Sequence, residues 1–315
     1  HDVCKMLALS CLDLMVELDP HGHWISFLSA RGYLKFLIDS LLAADSELVE
    51  LLSPAAMTLR PLYVYESKMA LLCRVASTPS GAELVLEQNC LASLSTMQVF
   101  DSHPDIAPRY PQSRLNSMEL DFVPSVSSRY LQLLSPALAL CQTIISSLGV
   151  ENQSAVSQVM HFLLSHGDMV TQVLRCGSPF LQLNYLKELQ QLTAVIARAT
   201  NQEVVRITRE GCGDKSLMLE STSHFHKIQK LMLALLGRFV LSETTLKDLT
   251  SSADPDRSDR ERRAEVILTF MQISGNLVMY ARNLVSSSGL DKPATSVILQ
   301  PSLLEPNIID KKETS

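Results

Sequence analysis

Apolar residues recur along this chain at alternating steps of three and four, the spacing that places side chains on one face of an α-helix. The first series stops at Asp19-Pro20, because proline disfavours a continuing helix, and the third stops before Gly149. Strand-like alternation occurs nowhere at comparable length. Six series predict long helices: Cys4, Leu7, Cys11, Leu14 and Leu18; Leu62, Tyr65, Met69, Leu72 and Ala76; Leu131, Leu134, Leu138, Cys141, Ile145 and Leu148; Tyr185, Leu189, Leu192, Ile196 and Ala199; Phe225, Ile228, Met232, Leu235 and Phe239; Val266, Phe270, Ile273, Leu277, Tyr280 and Leu284.

Shorter helices with a break lie between these long ones. One begins at Thr78 or Ser80, either of which is placed to cap its N-terminus, and breaks at Asn89. Another breaks at His166-Gly167. A long helix followed by a short broken one is the pattern of repeat proteins whose helical pairs must stack on their neighbours. We therefore predict an all-α fold, an α-solenoid of armadillo/HEAT-like stacked helical repeats.

Three segments interrupt the helical pattern. Residues 101–128 contain four prolines and predict a long extended connection, and residues 251–263 are dense in charge and predict a solvated loop. Residues 286–315 are polar and punctuated by proline, and we expect a tail that is flexible or pinned onto a neighbour. Since the sequence opens on His1 with an amphipathic run, we interpret residues 1–285 as an α-solenoid segment of a longer chain.

Composition and charge support the helical interpretation and exclude one class of partner. The chain is only 5% aromatic and has 11 glycines, too few for a large β-protein. A formal net charge of −6 without a basic stripe argues against direct nucleic-acid binding. The seven cysteines are scattered and odd in number, which is typical of reduced thiols in a cytosolic or nuclear protein.

One stretch has to be tested as a membrane span. The 21 residues from Tyr130 to Val150 carry no formal charge. They include Pro136 and several serine, threonine and glutamine residues, whereas a spanning helix is predominantly apolar over about 20 residues. We therefore predict a buried core helix here and no transmembrane segment.

The sequence offers little to a catalytic interpretation. The close histidine pairs are His21 with His23 and His224 with His226, and no further ligands stand at metal-site spacing. The run Gly211–Ser216 resembles a phosphate-binding loop, but it has aspartate where the glycine before the lysine is required. No nucleophile motif is present. We predict that the protein is not an enzyme and needs no cofactor or metal.

Four runs carry a resemblance to a known family. They are RGYLKFLIDSLL at 31–42, TPSGAELVLEQNCLASL at 78–94, SRYLQLLSPALALCQTII at 128–145 and SQVMHFLLSHGDMVTQVLR at 157–175. In order and approximate spacing they resemble the C-terminal portion of the nucleoporin 205 family, the large scaffold proteins of the nuclear pore complex inner ring.

The resemblance implies a structural role. It implies an α-solenoid located at the nuclear pore complex and the nuclear envelope, which supports pore assembly and nucleocytoplasmic transport of protein and mRNA. It also implies binding to other nucleoporins, especially a helical segment of nucleoporin 93, and to nucleoporin 35. Such binding is helix-in-groove recognition, in which an amphipathic helix lays its apolar stripe into an apolar trough. The family supplies no catalytic residues.

The late helices contain candidates for such a trough, because they combine aromatic and methionine side chains on one face. The alternative is that these side chains are plain core between repeats, and the sequence leaves both open. The candidate partner-binding residues, called the late-helix residues below, are Met232, Leu235, Phe239, Phe270, Leu277 and Tyr280.

Two other function classes remain to be weighed. A transport receptor of the karyopherin type is also an acidic α-solenoid, but it would bind a small GTPase and release partners in response to nucleotide. A helical hydrolase or metal enzyme would need polar side chains that converge in a pocket.

Overall fold

The computed structural model describes residues 2–53, 56, 58–104, 124–175, 183–200, 215–240 and 257–287. Within these ranges the chain forms thirteen α-helices and one short 3-10 helix, Gln98–Asp101, and no strand. The α-helices in chain order are α1 Asp2–Glu17, α2 His23–Ala30, α3 Tyr33–Leu42, α4 Asp45–Glu50, α5 Arg60–Ala76, α6 Pro79–Glu87, α7 Cys90–Ser95, α8 Val126–Leu148, α9 Gln153–Ser165, α10 Gly167–Arg175, α11 Leu183–Ala199, α12 Lys215–Val240 and α13 Arg257–Ser287.

The helices form two layers, and within each layer successive helices pack side by side in chain order. In the first layer α1 packs on α5, α5 on α8, α8 on α11 and α11 on α13. In the second layer α3 packs on α7, α7 on α9, and α12 on both α9 and α10. The first-layer helices α1, α5, α8 and α11 are each followed in the chain by helices of the second layer, and one continuous core lies between the layers. This stacking confirms the predicted all-α solenoid.

Local sequence signals set the breaks in the second layer. Thr78 caps α6, because its Oγ1 accepts a hydrogen bond from the amide of Gly81 at 3.2 Å. Asn89 separates α6 from α7 in a left-handed conformation with φ 59°. His166 separates α9 from α10, as predicted. A third break between two short helices lies at Gly32, between α2 and α3, and the sequence pattern did not predict it.

The predicted interruptions differ from the structure at their edges. Asp101 ends the 3-10 helix and α8 already begins at Val126, while residues 105–123 lie outside the described residues. The predicted charged loop 251–263 is wrong in its second half, because α13 begins at Arg257. Arginine and glutamate are good helix formers and remain solvated at the end of a long helix, so charge density alone does not indicate a loop. Residues 251–256 and 288–315 lie outside the described part of the chain.

Helix α8 is the stretch with the composition of a membrane span, and it is long and apolar enough to pass that test. It packs against α5, α6, α9 and α11, and Leu133, Leu134 and Leu138 are fully buried. Burial between protein layers accounts for its apolar composition, because a core helix and a spanning helix look alike by sequence. The structure thus supports the prediction of a core helix.

Polar contacts fix α8 to its neighbours at Pro136, which interrupts the helix ladder. Pro136 has no N–H to donate to the carbonyl of Gln132. The adjacent carbonyl of Leu133 accepts a hydrogen bond from the buried Tyr65 hydroxyl at 2.9 Å. About two turns further along α5, the Cys73 thiol lies 3.9 Å from the carbonyl of Pro136. The joint between α5 and α8 is therefore specified by directional contacts as well as by apolar packing.

Replacing Gly81 by alanine is expected to lower the free energy of unfolding by about 1–3 kcal/mol, because α6 approaches the end of α5 too closely for a side chain. A Cβ on Gly81 would lie 1.9 Å from the carbonyl oxygen of Val75, which belongs to the backbone. Gly237→Ala is the matched control: no atom lies within 4 Å of its Cβ position, and alanine should stabilise that helix by about 0.5–1 kcal/mol. Urea denaturation measures both variants, and equal effects would contradict the prediction.

Candidate functional site

The structure gathers all six late-helix residues between helices of the array. Each is at most 4% exposed, and the rings of Phe239 on α12 and Phe270 on α13 lie 4.8 Å apart between centroids. They belong to the same continuous core as the rest of the chain. The core alternative therefore describes these side chains better than an open trough does.

Hydrogen bonds hold this part of the core closed. The Asn276 side-chain amide on α13 donates to the Gln190 carbonyl at 3.0 Å and lies 3.1 Å from the Thr193 hydroxyl on α11. Two turns later the Asn283 amide donates to the Ala197 carbonyl at 2.9 Å. These bonds join α13 to α11, so a partner helix would reach the late-helix residues only if the helices that cover them separate.

An open apolar groove lies instead near the beginning of the chain. It is a cavity of about 450 Å³ between α1 and α5 on one side and α2 and α3 on the other. We call it the N-terminal groove. Its lining includes the aromatic residues Trp24, Phe27, Tyr33 and Phe36.

The aromatic wall of the N-terminal groove is ordered but only partly covered. The rings of Trp24 and Phe27 meet edge to face with centroids 5.9 Å apart, and Tyr33 lies 6.1 Å from Phe27. The Arg31 guanidinium carbon lies 5.7 Å from the centroid of the Phe27 ring. Phe36 is 71% exposed. Large apolar surfaces of this kind mark interaction sites in folded proteins.

Two lysines add positive charge to the lining of the N-terminal groove. Lys5 and Lys68 both line it, and the Lys68 ammonium donates to the Ser40 carbonyl at 3.1 Å. Burial lowers the pKa of Lys68, and the nearby charge of Lys5 lowers it further. Glu47 raises the pKa of Lys68 in opposition, and the Lys5 ammonium already lies 3.2 Å from an Asp2 carboxylate oxygen, so the positive charge beside the groove is partly neutralised within the fold.

The periodic pattern of the sequence did not predict the N-terminal groove, although the sequence carries a signal for it. Residues 23–36 hold four aromatic side chains, whereas the chain as a whole is only 5% aromatic. This concentration was hidden because the aromatics belong to two short helices with a glycine break rather than to one long periodic series.

The described residues give no support to a metal site. No group of three or more histidine, cysteine, aspartate or glutamate side chains converges within the described ranges. His21 and His23 lie beside each other at the start of α2, and His23 Nδ1 is 3.7 Å from an Asp19 carboxylate oxygen. His224 and His226 lie on α12. Most of the run that resembles a phosphate-binding loop, 211–214, lies outside the described residues.

The cysteine side chains differ in their exposure to solvent. Cys4 and Cys11 are exposed on α1, whereas Cys90 and Cys141 are buried in the core. Burial raises the pKa of Cys90 to about 12 and raises that of Cys141 as well. A buried thiol with a raised pKa is a poor nucleophile, so these two side chains serve packing.

Comparison with known proteins agrees with the architecture. The family model described as nuclear pore complex scaffold, nucleoporins 186/192/205, matches residues 1–200. Nuclear pore complex protein Nup205 of Drosophila melanogaster is 37% identical over 324 residues, which cover 100% of this chain, and the human protein of the same name is 35% identical over 307 residues, or 97% of it. The chain spans 15% of the length of each of these relatives. A family match over more than half of the chain, on a stacked helical array of the expected kind, shows that the chain belongs to the scaffold nucleoporin family 186/192/205.

Proposed function

We propose that this chain is a structural segment of the nuclear pore complex inner ring, from the C-terminal portion of a nucleoporin 205-type scaffold, which binds helical or linear segments of other nucleoporins. The role is non-catalytic and supports pore assembly and transport through the pore. Membership of the family confirms the predicted localisation at the nuclear pore complex and the nuclear envelope. The C-terminal position rests on the order of the four sequence runs.

The observation that carries this proposal is an open apolar groove on a stacked helical array. The N-terminal groove has a volume of about 450 Å³ and lies between α1 with α5 on one side and α2 with α3 on the other. Helix-in-groove recognition needs an apolar trough with anchoring pockets, and aromatic side chains are the common anchors. Trp24, Phe27 and Phe36 supply such side chains.

The proposed occupant is a helical segment of nucleoporin 93, and nucleoporin 35 is the second proposed partner. An amphipathic segment would place its apolar face on the aromatic wall of the groove. The late-helix residues remain an alternative contact set for the same segment. Binding there would require α12 and α13 to separate, and it would appear as faster amide exchange in α12 on addition of the segment.

Binding of a labelled nucleoporin 93 helical segment to this chain, followed by fluorescence anisotropy, tests the proposal. We expect Phe27→Asp and Phe36→Asp each to weaken binding about tenfold or more, because each puts a charge into an apolar contact. Leu268→Asp, at an exposed position on α13, is the matched control and should bind as the unchanged chain does. If the groove variants bind normally, the site is wrong; if the unchanged chain does not bind, the proposed partner is wrong.

A karyopherin-type transport receptor is the second candidate function, and the same complex separates the two. A scaffold should hold its partner segment equally well with or without a small GTPase in its GTP-bound state. A transport receptor should release it when the GTP-bound protein is added. Release that depends on nucleotide would therefore overturn the scaffold proposal.

A further inference from the structure

Helix α13 carries two rows of side chains with helical spacing, and only one of them is covered. The covered row includes Phe270 and Leu277 and packs on α11 and α12. On the opposite side of the helix Leu268, Met271 and Val278 are 58%, 59% and 51% exposed. The exposed row, called the α13 stripe below, consists of Ala264, Leu268, Met271, Gly275, Val278 and Arg282.

The spacing of the α13 stripe is that of a seam between two helices. Its members follow one another at alternating steps of four and three, and this repeat keeps one narrow face of a helix toward a single partner helix. The face of α13 that serves the core of this chain is already packed on α11 and α12. Because exposed apolar surfaces of this kind mark interaction sites, the α13 stripe fits a further helix that lies alongside it.

The α13 stripe is complementary in shape to a second α13 that runs in the opposite direction. In an antiparallel register centred between Met271 and Gly275, each larger side chain of one copy meets a smaller one of the other. Met271 then lies over Gly275 of the second copy, where no atom lies within 4 Å of the Cβ position. Leu268 lies against Val278 of the second copy. A two-fold axis repeats each of these contacts, so one match in shape is used twice.

The charges on α13 favour the same register. Arg282 is the only charged member of the α13 stripe, and in this register its side chain lies over the small Ala264 of the second copy. Glu261 lies one turn before Ala264 and Glu265 directly follows it, and both glutamates are exposed. Glu265 also lies 2.6 Å from the Lys187 ammonium of its own chain. A parallel pair would instead place the two Arg282 side chains opposite each other, so charge selects the antiparallel arrangement.

We propose that the α13 stripe is a self-association surface, on which a second copy of this chain packs its own α13 in antiparallel orientation. Helices with this repeat interdigitate at a shallow crossing angle of about 20°. One helix pair is a small interface, so we expect a dimer dissociation constant in about the micromolar range. The inference goes beyond the proposed function, because it joins two copies of the scaffold. It does not depend on the N-terminal groove, which lies at the other end of the first layer.

Two charge-reversal variants of the 315-residue chain test this surface, with the dimer dissociation constant measured by sedimentation velocity over a concentration series. Arg282→Glu places like charges opposite Glu261 and Glu265 of the second copy and should weaken the dimer about tenfold or more. Glu261→Arg places like charges opposite Arg282 and should weaken it as well. A mixture of the two variants in equal amounts should restore a dimer that contains one copy of each, because residues 261 and 282 then carry opposite charges across the interface at both ends.

Recovery in the mixture has to arise between chains, because residues 261 and 282 lie roughly 30 Å apart along one helix. Arg60→Glu is the matched control: it makes the same change of charge at an exposed position on α5 and should dimerise as the unchanged chain does.

Three results would overturn the self-association surface. One is an unchanged chain that stays monomeric throughout the concentration series. Another is a mixture that stays as weakly associated as each variant alone, since the variants would then disturb α13 itself rather than a contact between copies. The third is a dimer that Arg282→Glu leaves intact, which would assign association to a different surface.

Discussion

The free energy of unfolding is expected to fall steeply as the pH rises above about 9, because the folded core keeps several acidic side chains neutral. Burial raises the pKa of Cys73 and of Cys90 from 9.0 to about 12 and raises that of Cys141 further. It also raises the pKa of the buried Tyr65 and Tyr130 hydroxyls above 10.0. Desolvation of the charged form is the main cause in every case.

The sign of this dependence follows from the two states of the chain. The unfolded chain releases the thiol protons from about pH 9, whereas the folded chain retains them until about pH 12. The stabilising contribution is therefore complete below pH 9 and is lost progressively between 9 and 12. Each buried thiol contributes up to about 1.4 kcal/mol per pH unit in that window, so three thiols remove several kcal/mol between about pH 9 and pH 10.5.

Urea denaturation at a series of pH values between 8 and 10.5 measures the effect. The control is Cys90→Ala combined with Cys141→Ala. It should be less stable than the unchanged chain at pH 8, because both thiols are packed, but its stability should depend less steeply on pH. Parallel curves for the two proteins would show that the thiols do not cause the alkaline loss.

Replacing Phe162 by alanine is expected to lower the free energy of unfolding by about 3–5 kcal/mol, because the ring fills the joint between the 3-10 helix and α9. Phe162 is fully buried, and its ring meets Phe100 at 5.5 Å and His166 at 5.2 Å between centroids. The His166 ring in turn contacts the Asp101 carboxylate at 2.9 Å and the Leu94 carbonyl at 3.2 Å. Loss of the phenyl ring is therefore expected also to weaken the polar contacts of the His166 ring with Asp101 and Leu94.

Urea denaturation at pH 7 measures this variant, and Phe36→Ala is the matched control. Phe36 is 71% exposed, so its loss should change the free energy of unfolding by less than about 0.5 kcal/mol. The Phe36→Ala variant should instead weaken binding of the proposed partner segment. The two variants thus separate an effect on stability from an effect on binding for the same type of residue. A loss below about 1 kcal/mol for Phe162→Ala would contradict the packing described for this joint.

Much of the local structure follows from signals that operate within a few residues. The series from Leu62 to Ala76 became a buried helix face, Thr78 became the cap, and Asn89 became the break. Periodicity, side-chain caps and left-handed backbone positions depend on neighbours close in sequence. The charge-rich start of α13 was predicted less well, because high charge is compatible with both a loop and a solvated helix end.

Contacts between distant residues could not be predicted in the same way. Arg129 is buried and donates to the carbonyls of Leu51 at 2.5 Å and Ser53 at 3.3 Å, nearly eighty residues away. His103 and Glu188 form a buried pair with 3.3 Å between Nε2 and Oε1. No spacing in the sequence predicts such partners, because only the stacking of the helical layers brings these distant residues together.

The sequence by itself determined that this protein is a stack of amphipathic helices, because apolar periodicity states which residues share a helix face. The tertiary structure decided which of those faces are covered. It closed the late-helix residues into the core between α11, α12 and α13, and it left open the N-terminal groove and the face of α1 that holds Leu7 and Leu14. The physical reason is that an apolar stripe requires cover without specifying its source, and only the positions of neighbouring helices decide whether that cover is already present.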